Sequence, residues 1–148
     1  MHGHATRLVT AAIAAAAFWS TSALAKECYA PDARSQERAF SRAVTTDGGK
    51  VVWLGGQTGG PTQSFEDQVR AIFTALDNTI KAQGGSGLKD ITTMTVFITD
   101  PRLGDKLTQI RKEIFKDCFP ASALISVSGL AVPGLLIEIQ GVAVVGSK

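Results

Sequence analysis

Apolar residues spaced three and four apart between Ser64 and Gly84 constrain the fold of this chain more than any other feature. They form one helical stripe, made of Phe65, Val69, Ile72, Phe73, Leu76 and Ile80. This spacing is typical of a helix that packs one face against a sheet. Ser64, followed by Asp67, predicts the N-cap, and Gly84-Gly85 predicts the end. A second helix is predicted by a second stripe, made of Leu103, Leu107, Ile110 and Ile114.

Runs of apolar and β-branched residues predict five strands, at residues 39–45, 50–56, 91–99, 121–128 and 135–145. The first two flank Asp47-Gly48-Gly49, which predicts a β-hairpin. The order β-β-α-β-α-β-β predicts an α/β (α+β) fold, in which both helices cover one face of a single mixed sheet. In the third strand Met94, Val96 and Ile98 face one way, and Thr93, Thr95 and Phe97 face the other. Apolar residues on both faces predict that the open face packs in a homo-oligomer.

Residues 1–25 have the three parts of a secretory signal peptide. Arg7 precedes an apolar run that ends at Trp19, and Ala23-Leu24-Ala25 fits the small-x-small cleavage pattern. The apolar core is short for a bilayer span, which disfavours a membrane anchor. We therefore expect an exported, periplasmic protein without a membrane segment after cleavage. Residues 26–37 would form a polar N-terminal arm, and residues 38–148 the folded domain.

Cleavage after Ala25 would remove both histidines, His2 and His4. A chain without histidine excludes a Ser-His-Asp triad, a Cys-His pair and a histidine-based metal site. Arg7 would leave as well, which brings the 15 basic residues to within one of the 13 acidic residues. This balance gives no electrostatic footprint for nucleic acid. We expect no metal, no cofactor and no nucleic-acid partner.

Two cysteines, Cys28 and Cys118, remain after cleavage. In an oxidising compartment such a pair is often joined. The bridge would close a loop of about 90 residues and contribute on the order of 4 kcal/mol to stability. Two unpaired thiols, one of them in a mobile arm, are the alternative, and the sequence leaves both open.

A glycine-rich loop, GGQTGGP, runs from Gly55 to Pro61 and follows a predicted strand. It has neither the Gly-Lys-Ser/Thr ending of a P-loop nor the GxGxxG spacing of a dinucleotide site, so we expect no nucleotide there. A backbone N–H of such a loop could still approach a small anion.

Five motifs, in the same order, resemble those of the RidA (YjgF-like) family over about residues 38–145. AFSRAV at 39–44 is similar to PYSQAV, WLGGQ at 53–57 to V-S-G-Q, and TVFITD at 95–100 to T-V-F-L-x-D. FPA at 119–121 is similar to F-P-A-R, and IEIQ at 137–140 to I-E-I-E. The resemblance implies a chorismate-mutase-like fold and a homotrimer with ligand clefts between subunits. In the best understood branch it also implies hydrolysis of enamines and imines derived from amino acids, of the 2-iminobutanoate/2-iminopropanoate type.

In that branch the arginine after F-P-A pairs with the substrate carboxylate, and a glutamate on the last strand positions or activates water. Carried over by position, the ligand-binding residues are Phe40, Gly55, Gly56, Thr108 and Ser122, and the catalytic candidates are Glu138 and Gln140. Several of these depart from the family pattern. Ser122 replaces the arginine, and Gln140 replaces the second glutamate. Serine cannot neutralise a carboxylate and a neutral amide cannot act as a general base, which argues against the usual deaminase activity.

Two other arginines could supply the missing cation. Arg42 lies two residues after Phe40 on the same strand face, and Arg111 lies one helical turn after Thr108. The alternative, which the sequence alone favours, is that both are solvated or paired with nearby acids. Glu138 alternates with the apolar residues beside it and is expected at the subunit interface, where a hydrogen-bonding role is the alternative to catalysis.

Three functions follow from these observations. The first is an exported trimer that binds a small, uncharged or weakly polar metabolite between subunits. The second is a divergent enamine/imine deaminase in which Arg42 or Arg111 replaces the missing arginine. The third is an interaction protein or holdase that has no small-molecule site.

Overall fold

A computed structural model describes residues 26–146, so the expected signal peptide at residues 1–25 lies outside the described residues. In chain order the elements are β1 (Lys26–Tyr29), α1 (Ala33–Glu37), β2 (Ala43–Thr46), β3 (Lys50–Thr58), α2 (Phe65–Ala82), β4 (Ile91–Ile98), α3 (Gly104–Phe115), β5 (Ala121–Ser126) and β6 (Ile137–Val145). Short 3-10 turns precede β4 and α3. Among residues 26–146, none of the helices has the length and hydrophobicity of a membrane span.

The central sheet has four strands in the order β3-β6-β4-β5. β6 lies antiparallel to both β3 and β4, whereas β4 and β5 are parallel. The mixed α+β class predicted from the sequence is therefore confirmed. The expected single sheet is not found, because β1 and β2 form a separate antiparallel ribbon.

The predicted hairpin between residues 39–45 and 50–56 is wrong. β2 pairs with β1, and β3 pairs with β6. A parallel bridge between Ser41 and Ala121 places the segment before β2 beside β5, at the edge of the sheet opposite to β3. The positive φ angles of Gly48 and Gly49 allow the turn, but the arm supplies the partner strand for β2.

α2 and α3 cover one face of the four-stranded sheet. Their apolar stripes pack with the inward residues of β4, namely Met94, Val96 and Ile98, in one buried cluster. Phe73 of α2 meets Phe115 of α3 edge to face, with ring centroids 5.7 Å apart. The opposite face stays open, and Val51, Trp53 and Ile125 are 50%, 80% and 41% exposed.

The N-terminal arm is an ordered part of the fold, since it carries β1 and the short helix α1. Cys28 of β1 is joined to Cys118 by a disulfide, with the two Cα atoms 5.5 Å apart and a separation of 90 positions in the chain. Nζ of Lys26 donates to the backbone carbonyls of Lys89 and Ile91 at 2.9 and 2.7 Å. These contacts hold the arm against the end of α3 and the start of β4.

Candidate functional site

A cavity of about 450 Å³ lies between the arm, α3 and β5. Five of the residues selected from the sequence line it together, namely Phe40, Arg42, Thr108, Arg111 and Ser122. The remaining lining residues are Arg34, Arg38, Leu107 and Leu124. We refer to this space as the arginine cavity, because four of its nine lining residues are arginines.

The floor of the cavity forms where α3 crosses the edge strand β5. Thr108 and Arg111 follow the buried Leu107 on the inward side of α3, and Ser122 pairs in register with the buried Met94. The hydroxyl of Thr108 donates to the carbonyl of Gly104 at 2.9 Å, so it is already used within the helix.

The wall facing α3 comes from residues 38–42, which are fastened to the Phe119-Pro120 segment. The hydroxyl of Ser41 donates to the carbonyl of Phe119 at 2.6 Å, and its N–H donates to the carbonyl of Pro120 at 3.1 Å. Ala39 is fully buried and has a φ of 55°, an uncommon conformation for a residue with a side chain. This turn brings both Arg38 and Phe40 to the cavity.

Arg111 is the unusual residue of the site, because it is a buried cation without an acidic partner. It is 4% exposed, and its Nη2 donates to the hydroxyl of Ser122 at 2.6 Å. Its Nε has no hydrogen-bond partner, and no acid within residues 26–146 forms an ion pair with it. Burial, and to a lesser degree the charge of Arg38, lower the pKa of Arg111 to about 10. The guanidinium therefore still carries its charge at neutral pH.

Two of the other three arginines already have carboxylate partners. Arg38 pairs with Asp105, and Arg42 pairs with Asp32 at 3.0 Å. The guanidinium of Arg42 also lies over the ring of Phe40, 5.5 Å from its centroid. The expectation that the candidate arginines are solvated or ion-paired is thus right for Arg42 and wrong for Arg111.

The chain is similar to one protein family over nearly all of its described residues. The family model described as Endoribonuclease L-PSP matches residues 30–145. This chain belongs to that family, the RidA/YjgF family. It is 29% identical over 126 residues to a RutC family protein of Aquifex aeolicus. The alignment covers 80% of this chain and 98% of that protein.

Solved structures of the RidA/YjgF family share the fold. YyfB of Yersinia pestis, a Rid-family protein of unknown function, matches with a TM-score of 0.71 at 21% identity, over 81% of this chain and 98% of that one. Rv2704 of Mycobacterium tuberculosis matches with a TM-score of 0.61 at 23% identity, over 82% and 100%. The chorismate-mutase-like α+β fold implied by the five motifs is confirmed.

The other selected residues of this RidA/YjgF protein lie away from the arginine cavity of their own chain. Gly55 and Gly56 lie on β3, and Glu138 and Gln140 lie on β6. Glu138 and Gln140 alternate with the buried Ile137 and Ile139, so their side chains point to the open face of the sheet. The carboxylate of Glu138 lies over the Cα of Gly56, where a Cβ would collide with it. The structure therefore divides the family-derived positions between two faces of the sheet.

Sequence reasoning missed two arginines of the cavity, Arg34 and Arg38. Both come from the segment that the sequence assigns to the arm and its junction with the domain. A local signal existed, since Asp32 caps α1 by accepting from the N–H of Ser35 at 2.8 Å. Residues four apart share one face of a helix, so this cap brings Arg34 and Arg38, the residue at which the helix ends, to the same side.

Proposed function

We propose that this RidA/YjgF protein binds a small metabolite bearing a carboxylate in the arginine cavity, with Arg111 as the partner of that carboxylate. The observation that carries the proposal is the buried Arg111 with its unpartnered Nε. A buried charge without a partner is costly to the fold. A carboxylate is the planar acceptor that a guanidinium binds through two parallel hydrogen bonds.

The place of Arg111 in the fold supports the same proposal. The family resemblance assigns the carboxylate-binding role to an arginine after F-P-A, and Ser122 occupies that position here. Arg111 donates to Ser122, so α3 brings a cation to the point where the strand lacks one. This cationic lining favours an anion over the uncharged or weakly polar metabolite that the sequence suggests.

Assembly and export form part of the proposal. Val51, Trp53 and Ile125 leave an exposed apolar face on the sheet, and a face of this kind favours association between copies. We propose a homotrimer that uses this face, in agreement with the family resemblance. Export to the periplasm is proposed from the signal-like pattern of residues 1–25.

Hydrolysis of an enamine or imine is the second candidate function, and Arg111 favours it as a carboxylate anchor. Such a reaction also needs a group that positions or activates water. Glu138 and Gln140 face the side of the sheet away from the cavity, so a neighbouring subunit would have to supply that group. Binding without turnover is therefore the function that the geometry of one chain supports best. An interaction protein or holdase, the third candidate, would leave the cavity unused.

Calorimetric titration with 2-oxobutanoate and its uncharged amide tests the proposal. We expect the wild-type protein to bind the carboxylate and not the amide. Arg111→Met should weaken binding about ten-fold or more, because it removes a charged hydrogen-bond donor. Arg70→Gln is the matched control, since Arg70 pairs with Glu113 on the outer side of the helices. No carboxylate binding by the wild type, or equal binding by Arg111→Met, would refute the proposal.

Turnover is tested separately with freshly generated 2-aminoacrylate. The deaminase would be established if the wild-type protein hydrolyses this substrate faster than the spontaneous rate and if Arg111→Met abolishes the acceleration. No acceleration by a protein that binds 2-oxobutanoate would leave a binding protein.

A further inference from the structure

We infer that the preferred ligand of the arginine cavity is a small dicarboxylate, whose inner carboxylate meets Arg111 and whose outer carboxylate meets Arg34. The inference rests on the proposed function, because it takes Arg111 as an anion partner, and it adds a second anchoring point. It is carried by the charge balance of the cavity and by the chemistry of its walls.

Acidic side chains of the protein neutralise only some of the arginines that line the arginine cavity. Asp105 neutralises Arg38, and Asp32 neutralises Arg42. Arg34 and Arg111 form no ion pair with any acid in the part of the chain that the structure describes. Two cations of the lining thus remain unbalanced, and a ligand with two negative charges would balance both.

The two unbalanced cations occupy different levels of the cavity. Arg111 is buried on α3, whereas Arg34 is exposed on α1. α1 is held in place by its Asp32 cap and by the disulfide at Cys28, so Arg34 projects from a fixed helix. A ligand that contacts both must reach from the floor to the rim, which favours two separated carboxylates over one compact anion.

The remaining walls fit the spacer of such a ligand. Phe40, Leu107 and Leu124 are the apolar residues of the lining. They suit a short chain of methylene groups between the carboxylates, whereas inorganic phosphate or sulfate would leave them in contact with water. A volume of about 450 Å³ lies within the usual range of small-molecule sites.

The test pairs dicarboxylates with monocarboxylates of equal length: succinate with butyrate, glutarate with valerate, and adipate with hexanoate. Calorimetry at low salt should show at least one dicarboxylate binding about two- to five-fold more tightly than the monocarboxylate of equal length, the gain expected of one added ion pair at an exposed rim. Arg34→Gln should remove this advantage and leave the monocarboxylate Kd nearly unchanged. Arg34→Lys should retain part of it, and the control Arg70→Gln should retain all of it.

Four results would overturn the inference. Equal binding of both members of every pair would show that a second carboxylate gains nothing, although the proposed function would stand. An advantage that survives in Arg34→Gln would exclude Arg34 as the outer anchor. Binding of inorganic phosphate in preference to every dicarboxylate would make the site one for a compact anion. If no carboxylate of either kind binds, the proposed function fails together with the inference.

Discussion

Nη2 of Arg111 donates a 2.6 Å hydrogen bond to the hydroxyl of Ser122, which joins the middle of α3 to the edge strand β5. Ser122 stands where the related F-P-A-R motif has its arginine. In this chain the cation therefore comes from α3, whereas the related motif places one on the strand, and it still meets Ser122 at the floor of the cavity. This relationship makes the site open to a direct exchange of side chains.

Returning the cation to the strand should restore binding that is weakened when Arg111 is lost. Arg111→Ser removes the guanidinium, and the additional change Ser122→Arg places one on β5 at the same contact. We expect Arg111→Ser to weaken carboxylate binding about ten-fold or more, and the double variant to regain most of that loss. Calorimetry with 2-oxobutanoate measures both. A double variant that binds no better than Arg111→Ser would contradict this view of the two positions.

Removing the charge of Arg111 should stabilise the fold while it damages the site. Arg111→Met keeps much of the side-chain volume and removes a buried cation that no acid neutralises. We expect the free energy of unfolding at neutral pH to rise by about 1–3 kcal/mol. Urea unfolding of both proteins measures the difference, with Arg70→Met as the exposed control. A loss of stability in Arg111→Met would show that the guanidinium supports the fold.

The free energies of unfolding of the wild type and Arg111→Met should converge at high pH. Burial holds the pKa of Arg111 at about 10 in the folded protein, well below its ordinary value. The folded state thus binds this proton less tightly than the unfolded state, and stability rises with pH between the two values. The cost of the charge is fully present below about pH 10 and disappears as the pH rises above that value toward the ordinary pKa of an arginine. The advantage of Arg111→Met should accordingly shrink above about pH 10, and a constant difference across that range would contradict the shift.

Loss of the disulfide should weaken both the fold and the site. The bond between Cys28 and Cys118 spans 90 residues, and a crosslink of this length can contribute on the order of 4 kcal/mol through chain entropy. We expect reductant to lower the urea midpoint of the wild type and to loosen the arm that carries Arg34. The Cys28→Ala/Cys118→Ala variant should show the lower midpoint with or without reductant. A midpoint of the wild type that reductant does not change would contradict this role.

A charge on the open face of the sheet should dissociate the proposed trimer. Trp53 is 80% exposed on β3, and a carboxylate there would oppose burial against another copy. We expect Trp53→Glu to give a monomer in light scattering at concentrations where the wild type is trimeric. Val132→Glu is the control, since Val132 is 48% exposed but lies in the loop between β5 and β6. A monomeric wild type would refute the assembly itself.

Local sequence patterns predicted the helices and strands whose formation depends mainly on residues close in the chain. α2 begins after Ser64, whose hydroxyl accepts from the N–H of Asp67 at 3.2 Å, as its sequence indicates. The alternating burial of β4 also follows its sequence. Such signals depend on residues that are close in the chain, so they can be recognised from the sequence alone.

The partners of segments distant in the chain could not be predicted in this way. Residues 39–45 and 50–56 resemble a hairpin in the sequence, but the strands that form there, β2 and β3, pair with β1 and β6. The burial of Arg111 has the same origin. Its position on α3 is evident from the sequence, whereas the wall that covers it comes from residues 34–42. An arginine on an amphipathic helix looks solvated until a remote segment is known to lie over it.

The covalent link at Cys28 has a consequence for copies of the chain that assemble side by side. The arm carries β1 and α1 and pairs through β1 with β2, and such a segment can be exchanged between neighbouring copies. Exchange would give one subunit the Arg34 and Arg38 of another. Once Cys28 is bonded to Cys118 of its own chain, the arm can no longer be exchanged with a neighbouring copy. All four guanidinium groups of a cavity then come from the same copy of the chain. Oxidation of Cys28 and Cys118 therefore determines which subunit's cavity the arm completes.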